Sequence, residues 1–322
     1  MRRWILAACV ALGACSKQQD EARKDPGDPQ PKSSANDHVR HYADVALASS
    51  KATAPVPLEG VRIFVGRKAL SLSDGGPPLL IVPADATHGF SAKDKAGGTR
   101  ADLALTALRD AKLEGSSERA VLYVDRETPY RIVVEVLFTL GQRNFGTYAL
   151  VVQSSDGSGK EASIELIAPR AGGGAPMAMP TTMLPTPLAP PGFKTPLPLA
   201  RPFMGKIVSD PIAPPVVACG AVPLDFDVRV VADGFGVRGF GGSLARDCTR
   251  GGLGRTIPLH AAAYDYDALA ACAHAAKTCS PRYASERRVQ LGMTPDLDFQ
   301  HLVSTADAVR DDFPELVLTL ST

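Results

Sequence analysis

Two stretches of equal length decide the fold: "ERAVLYVDRETPYRIVVEVLFTLGQRNFGTYALVVQ" at residues 118–153 and "ERRVQLGMTPDLDFQHLVSTADAVRDDFPELVLTLS" at residues 286–321. Each stretch begins and ends with an apolar strand pattern. Between the strands, apolar residues recur at the spacing of a helix, in the second stretch at positions 299, 302, 306, 309 and 313. With a one-residue gap after the first strand, Tyr130 aligns with Phe299. The sequence therefore predicts a strand–helix–strand unit that occurs twice.

The segments upstream of the two stretches complete each unit. In the first copy we expect strands at 61–65, 68–72 and 78–82 and a helix at 99–112, where Thr99 and Asp102 resemble a helix start. In the second copy, strands in 228–240 precede a helix at 264–277. The predicted fold class is α+β: two tandem small mixed-sheet domains, each with two helices packed on one face.

Composition separates the two copies. The chain has 322 residues, 45% of them apolar, and a net charge of +1 with no basic stripe, which argues against a nucleic-acid partner. Thirteen of the 27 prolines lie between Pro169 and Pro215, so residues 169–217 are predicted to be a proline-rich linker. The polar residues 15–57 are predicted to be a disordered tether, with one short helix at 37–50. The domains are then 58–168 and 218–322.

The first residues indicate export. Arg2 and Arg3 precede an apolar run that is too short to cross a bilayer. The run ends in "LGAC" at 12–15, which resembles the lipobox of bacterial lipoproteins. This resemblance implies removal of the signal peptide 1–14, lipidation of Cys15 and membrane attachment through that lipid. An ordinary secretory signal with a chance cysteine is the alternative. Ser16, rather than an aspartate, favours the outer membrane over the inner.

A glycine series raises the question of a nucleotide site. "VRVVADGFGVRGFGG" at 228–242 places Gly234, Gly236 and Gly239 in G-x-G-x-x-G spacing after a strand. That motif needs a following helix to face the phosphates, and this glycine-rich continuation is a poor helix former. A β-hairpin with a type I′ turn at Asp233-Gly234 is the preferred interpretation. "DGSGKE" at 156–161 lacks the Ser or Thr of a P-loop and is predicted to be a hairpin turn.

Four cysteines remain in the exported chain after Cys9 and Cys15 are set aside: Cys219, Cys248, Cys272 and Cys279. An even number in an exported protein favours disulfides over metal. With a two-residue loop at 233–234, paired positions add to 467, which places Cys219 opposite Cys248. Cys279 could then fold back to Cys272 beyond a helix ending near residue 277. We therefore predict the pairs Cys219–Cys248 and Cys272–Cys279.

Polar residues near the strand ends are the remaining candidates for a site. Asp125 and Glu127 follow one strand, and Asp296 and Asp298 occupy the equivalent turn. Paired carboxylates can perform acid–base catalysis, but carboxylates before a helix more often stabilise its positive end. The histidines show no metal-ligand spacing. The arginines considered for acidic groups are Arg131, Arg143, Arg282, Arg287 and Arg288, and solvated charge is the preferred interpretation. We expect no catalytic residue, cofactor or metal.

The second half of each unit resembles the periplasmic domain of the ExbD/TolR family of biopolymer transport proteins. The similarity lies in "VLYVDRETPYRIVVEVLFTLGQRNFGTYALVV", in "VQLGMTPDLDFQHLVSTADAVRDDFPELVLTLS" and in "IPLHAAAYDYDALAACAHAAK". It covers roughly 58–168 and 220–321. Family members carry an N-terminal membrane helix with an aspartate for proton-driven transport, which this sequence lacks. The resemblance implies a soluble module that pairs with itself and engages peptidoglycan or envelope proteins.

These observations predict a periplasmic envelope lipoprotein that serves as a scaffold or binding component, accessory to an energised transport or envelope system. Peptidoglycan or envelope transport proteins are the expected partners, with self-association through a free strand edge as a further expectation. A cell-wall enzyme with an unrecognised active site is the alternative function.

Overall fold

The computed structural model describes residues 42–113, 118–167, 219–252 and 255–319, and all positions below belong to these ranges. The fold is α+β, with one large mixed sheet and four α-helices. The helices are α1 (Thr106–Asp110), α2 (Tyr130–Gln142), α3 (Tyr266–Thr278) and α4 (Phe299–Val309). The strands are β1 (Ser49–Ser50), β2 (Val61–Val65), β3 (Ala69–Ser71), β4 (Leu80–Ile81), β5 (Arg119–Val124), β6 (Thr147–Ser154), β7 (Glu161–Ile167), β8 (Asp227–Val231), β9 (Gly234–Gly239), β10 (Gly242–Ser243), β11 (Ile257–Pro258), β12 (Arg288–Met293) and β13 (Glu315–Leu318).

The order of strands repeats in mirror fashion from the centre of the sheet. It runs β10-β9-β8-β12-β13-β7-β6-β5-β2-β3-β4, with β1 beside β6 and β11 beside β9. In the first half β2, β5 and β6 are parallel neighbours and β3 is antiparallel to β2. In the second half β8, β12 and β13 are parallel and β9 is antiparallel to β8. The repeat predicted from the sequence is therefore present in the topology.

The arrangement in two separate domains is not confirmed, because the halves share one sheet and one core. β7 is antiparallel to β6 on one side and parallel to β13 on the other. One buried cluster contains Leu122 on β5, its counterpart Leu291 on β12, and apolar residues of both α2 and α4. Strand β7 thereby covers the free edge that each half would otherwise expose to water.

The loops that enter α2 and α4 also pair with each other. Pro129 forms a β-bridge with Asp298. Four backbone hydrogen bonds surround this bridge and form two equivalent pairs. Adding 169 to the first-half residue of a bond and subtracting 169 from its second-half residue gives the other bond of the pair. They are Tyr130 N to Leu297 O at 2.8 Å, Phe299 N to Thr128 O at 2.8 Å, Arg131 N to Pro295 O at 3.0 Å and Gln300 N to Arg126 O at 3.0 Å. Each half thus satisfies first-turn N–H groups of the other half's helix, as a two-fold relation requires.

The first predicted helix is much shorter than 99–112. Only α1 (Thr106–Asp110) is helical, because tertiary hydrogen bonds hold the preceding residues in other conformations. Lys95 forms a bridge with Leu105, and the Leu105 N–H donates to Thr139 Oγ1 on α2 at 2.9 Å. The proposed start at Thr99 and Asp102 is wrong, whereas helices α2, α3 and α4 lie where the apolar spacing predicted them.

Part of the predicted tether is structured. Residues 42–56 are named the strap from here on. Tyr42, Val45, Leu47 and Val56 pack in a small cluster separate from the main core, whereas Ala48 and Ala52 belong to the main core. Val45, Ala48 and Ala52 are buried, and Ser49–Ser50 form β1 beside β6 rather than part of a helix at 37–50. The apolar residues of this segment are too few to predict a helix or strand from the sequence, but they are sufficient to pack against a sheet that is already formed. Residues 15–41 lie outside the described ranges, as does the lipidation site Cys15.

The predicted hairpin forms between β8 and β9 in a different register. Val231 pairs with Gly234, so paired numbers add to 465, and the loop is Ala232-Asp233 without the positive φ values of a type I′ turn. Gly234 has φ +134°, and a Cβ there would lie 2.2 Å from Ile257 O on β11. The glycine is needed because β11 passes close to its backbone. No helix follows the series, so the geometry of a dinucleotide site is missing.

All four cysteines form disulfides, but the predicted pairs are wrong. The bonds join Cys219 to Cys279 and Cys248 to Cys272. The ladder ends at Gly239, where the chain turns into β10, so it does not extend to 219 and 248. Helix α3 continues through Thr278, which keeps Cys272 and Cys279 too far apart to bond.

Candidate functional site

A cleft of about 930 Å³ opens between the strap of the first half and helices α3 and α4 of the second half. One wall is the backbone and side chains of the strap from Ser49 to Thr53. The opposite wall is formed by α3, α4 and the loop that precedes α3. Clefts between structural units are common locations for ligands because they present groups from several elements to one molecule. We therefore take this cleft as the candidate site.

Two side chains of α4 hold the strap wall in place. The Gln300 amide acts as a backbone mimic: its Oε1 accepts from Ser49 N at 2.9 Å and its Nε2 donates to Ser49 O at 3.0 Å. Two turns further along, Asp307 accepts from the Ser50 hydroxyl and from Lys51 N, both at 2.8 Å. Both contacts cross from one half of the chain to the other, so the cleft depends on the halves being joined.

An aromatic group forms the other wall. Tyr264 and Tyr266 line the cleft and pack on buried Phe235. The Tyr266 hydroxyl lies 2.7 Å from His301 Nδ1, and the Tyr264 ring lies 4.7 Å from the His301 ring. Burial lowers the pKa of His301, so its neutral form is favoured near pH 7 and Nδ1 can accept the tyrosine proton. Burial also raises the pKa of Tyr266, which keeps its hydroxyl a donor.

The rim of the cleft is a strained turn. His260 and Ala263 donate to each other's carbonyl oxygen at 2.9 Å, and the two residues between them, Ala261 and Ala262, have φ values of +49° and +64°. This is the left-handed region, where an alanine costs roughly 1–2 kcal/mol more than a glycine. Strain of this kind is often found at binding sites, because surrounding contacts hold the chain in the required shape.

The arrangement is suited to binding rather than to acid–base chemistry. Asp265 caps α3 by accepting from Ala268 N at 2.8 Å, and Asp307 is occupied by the strap and by Arg310 at 3.3 Å. Asp267 and Asp311 are the cleft carboxylates open to solvent. The cleft therefore offers tyrosine surfaces, hydroxyl groups and carboxylates along its walls, which can hydrogen-bond an extended polar ligand.

The structure brings together three of the four carboxylates singled out in the sequence. Asp125 and Glu127 lie near Asp298. Burial raises the pKa of Asp298, the negative charges of Glu127 and Asp125 raise it further, and His301 opposes the shift. No side chain of these pairs makes a capping hydrogen bond to α2 or α4, and backbone carbonyls of the other half accept from their first N–H groups. Asp125 is buried and instead accepts from Ala46 N of the strap at 2.8 Å. Asp296 lies near Tyr264, where burial and then the charge of Asp296 raise the pKa of the tyrosine.

The arginines considered earlier contact neighbouring groups within the fold. Arg143 donates to carbonyl oxygens at the end of α1, and Arg282 donates to Gly220 O. Arg287 and Arg288 contact Glu315 at the surface. Arg131 contacts the buried carboxylate of Glu135 on α2 at 2.7 Å.

The histidines are dispersed in the part of the chain that the structure describes. His88 contacts Asp85, and His274 contacts Asp312. Within these ranges no three His, Cys, Asp or Glu side chains converge on a metal-sized space. His38 and His41 lie outside them.

Sequence reasoning missed Gln300, Asp307, Tyr264 and Tyr266 as site residues. The two tyrosines were visible only as the start of an expected helix, and the α4 pair as polar positions of its outer face. The strap residues that Gln300 and Asp307 bind are more than 250 residues away along the chain. A strap predicted to be disordered gave no reason to look for them.

Comparison with protein-family models, with curated proteins and with solved structures found no match to this chain. Among the helices of the described ranges, none has both the length and the apolar character required to cross a bilayer. The functional argument therefore depends on the cleft and on the joint between the halves.

Proposed function

We propose that this protein is a lipid-anchored scaffold of the bacterial envelope that binds an extended envelope component in the cleft beside the strap. In this proposal Cys15 carries the anchor, and the two halves are tandem ExbD/TolR-like modules that together act as one body. The protein would serve as an accessory to an energised transport or envelope system.

The reciprocal joint at Pro129 and Asp298 is the observation that supports this proposal most strongly. A module that pairs with itself is what the ExbD/TolR resemblance implies, and four hydrogen bonds related by one offset are what two fused copies would form. The cleft requires both halves, because its walls are the strap of the first half and helices α3 and α4 of the second half. A body with an anchor and a polar cleft that joins its two halves suits a scaffold.

The test uses the soluble Cys15→Ser form produced without residues 1–14. We expect it to co-sediment with purified peptidoglycan or to retain a protein from envelope extract, and we expect Tyr264→Ala to weaken that retention at least about tenfold, as loss of a buried contact residue does at an interface. Asp110→Ala, an exposed aspartate on α1 outside the cleft, is the matched control. Hydrolysis of muropeptides without retention would favour the cell-wall enzyme instead.

Anchoring is tested separately. Cys15→Ala in the full chain should abolish lipid labelling and signal processing. A variant that is still acylated would show that the proposed anchor is wrong.

A further inference from the structure

The strap is held by side chains from distant parts of the chain and by backbone hydrogen bonds, in which the carbonyl oxygens of Ala46, Ala48, Ser50 and Ala54 accept. Its paired strand, β1, has only two residues opposite β6. Other fastenings use side chains from elsewhere in the chain: Asp125 binds Ala46 N, Gln300 binds Ser49, and Asp307 binds Ser50 and Lys51. These contacts follow one another along the strap. A pull on its N-terminal end would therefore load them one after another rather than together.

The strap joins the rest of the fold through a short exposed connection. Leu58 in residues 57–60 is 89% exposed, and Gly60 has φ +129°, a conformation that favours glycine. Beyond this connection, β2 is held by β5 along its full length and by β3. Release of residues 42–56 would therefore stop at the connection.

The sheet face that the strap covers differs in character between the two halves. The strap covers an apolar face that includes Phe64 on β2 and Val121 and Tyr123 on β5. Strand register places Arg229, Gln290 and Gly292 at the equivalent positions of the second half. Arg229 and Gln290 are exposed polar residues, whereas Gly292 is buried. The large apolar side chains at these positions of the first half therefore match the strap that packs on them.

We propose that the strap is a detachable latch: tension on the residues that precede Tyr42 peels it away while the sheet and helices remain folded. Release removes one wall of the cleft and uncovers the apolar face around Phe64 and Tyr123. A ligand held between the strap and α4 is then set free. The physiological source of tension rests on the proposed anchor at the N-terminus, but the mechanical behaviour is a property of the folded chain alone.

The test is a single-molecule force experiment on the soluble Cys15→Ser form, with handles at its N-terminus and C-terminus. We expect a first step at low force that lengthens the chain by roughly 50 Å, the extended span of the 15 strap residues at about 3.3–3.6 Å each. Relaxing the force should reverse this step. The remaining unfolding should follow at higher force.

Two variants identify the step. Asp307→Ala together with Gln300→Ala should speed the first step at least about tenfold at a given force, because bonds to a charged acceptor are lost, and should leave the later unfolding force nearly unchanged. Asp110→Ala, away from the strap, should change neither step. A variant chain that begins at residue 57 should fold and lack the first step, which separates strap release from any folding defect.

A single cooperative rupture in which the strap unfolds with the sheet would overturn the proposal, as would a first step unaffected by the α4 substitutions. Failure of the anchoring or retention assays would leave these traces unchanged, so the latch and the proposed function fail independently.

Discussion

Replacing Glu135 tests the buried ionic cluster of the first half. Glu135 lies on α2 with its side chain fully buried, and its carboxylate contacts the equally buried Lys95 ammonium and Arg131 Nε, the latter at 2.7 Å. The second carboxylate oxygen accepts from Phe90 N at 2.9 Å. One anion therefore balances two cations and holds the segment before α1 against α2. Burial lowers the pKa of Lys95 although Glu135 opposes the shift, because removal from water disfavours the charged ammonium.

Glu135→Gln preserves the shape and the bond to Phe90 but leaves Lys95 and Arg131 facing each other without a counter-charge. Removing one partner of a buried pair costs about 3–5 kcal/mol in the free energy of unfolding. For a body of this size, each 1 kcal/mol shifts Tm by about 2–4 °C. The expected loss is therefore roughly 6–20 °C, measured by calorimetry and by urea unfolding of the soluble form.

Glu165→Gln is the matched control, because Glu165 is an exposed glutamate that contacts Arg119 at 3.4 Å. An exposed pair contributes at most about 1 kcal/mol. Adding Lys95→Met to Glu135→Gln should recover part of the loss, since the uncompensated charge is then removed. If Glu135→Gln cost no more than Glu165→Gln, the reasoning about this cluster would be refuted.

Three further outcomes can be measured on the same soluble protein. Non-reducing peptide mapping should yield Cys219–Cys279 and Cys248–Cys272 peptides, and any other pairing contradicts the described arrangement around α3. The pKa of His301 in the folded protein lies below its unfolded value near 6.5, so the unfolded chain binds a proton more readily. Stability should therefore be constant above that pH and fall as the pH drops below it. His301→Asn should reduce this loss of stability, measured by urea midpoints from pH 7.5 to 5. Ala262→Gly should raise stability or leave it unchanged by relieving its positive φ, whereas Ala275→Gly on α3 should lower it by about 1 kcal/mol; equal losses would argue against strain in the rim turn.

The sequence was sufficient for elements whose evidence is local. The apolar spacing predicted α2 and α4, and the strand patterns on either side predicted the turn at 156–161. The repeat was also recognisable, but its alignment was one residue off in the middle strand. Arg119 pairs with Thr147 as Arg288 pairs with Glu315, so the two arginines are equivalent at an offset of 169, whereas the matching "ER" pairs suggested 168. In a strand, a one-residue slip exchanges the buried and exposed faces.

Features that depend on distant partners could not be predicted. The strap has few apolar residues, and its position follows from a sheet face that only the folded first half provides. The disulfides were predicted by extending a hairpin that in fact ends at Gly239. The cleft and the joint between the halves combine residues from both copies. No local pattern shows that the copies meet.

The central claim is that the two halves form one body through a shared sheet, and cutting the chain between them tests it most directly. A protease site inserted between residues 169 and 217 allows cleavage of the folded soluble form. Both disulfides lie in the second half, so no covalent bond would then connect the fragments. We predict that the fragments stay together in size-exclusion chromatography under native conditions and separate only in denaturant. Two folded fragments that elute separately without denaturant would contradict the shared sheet and the function proposed from it.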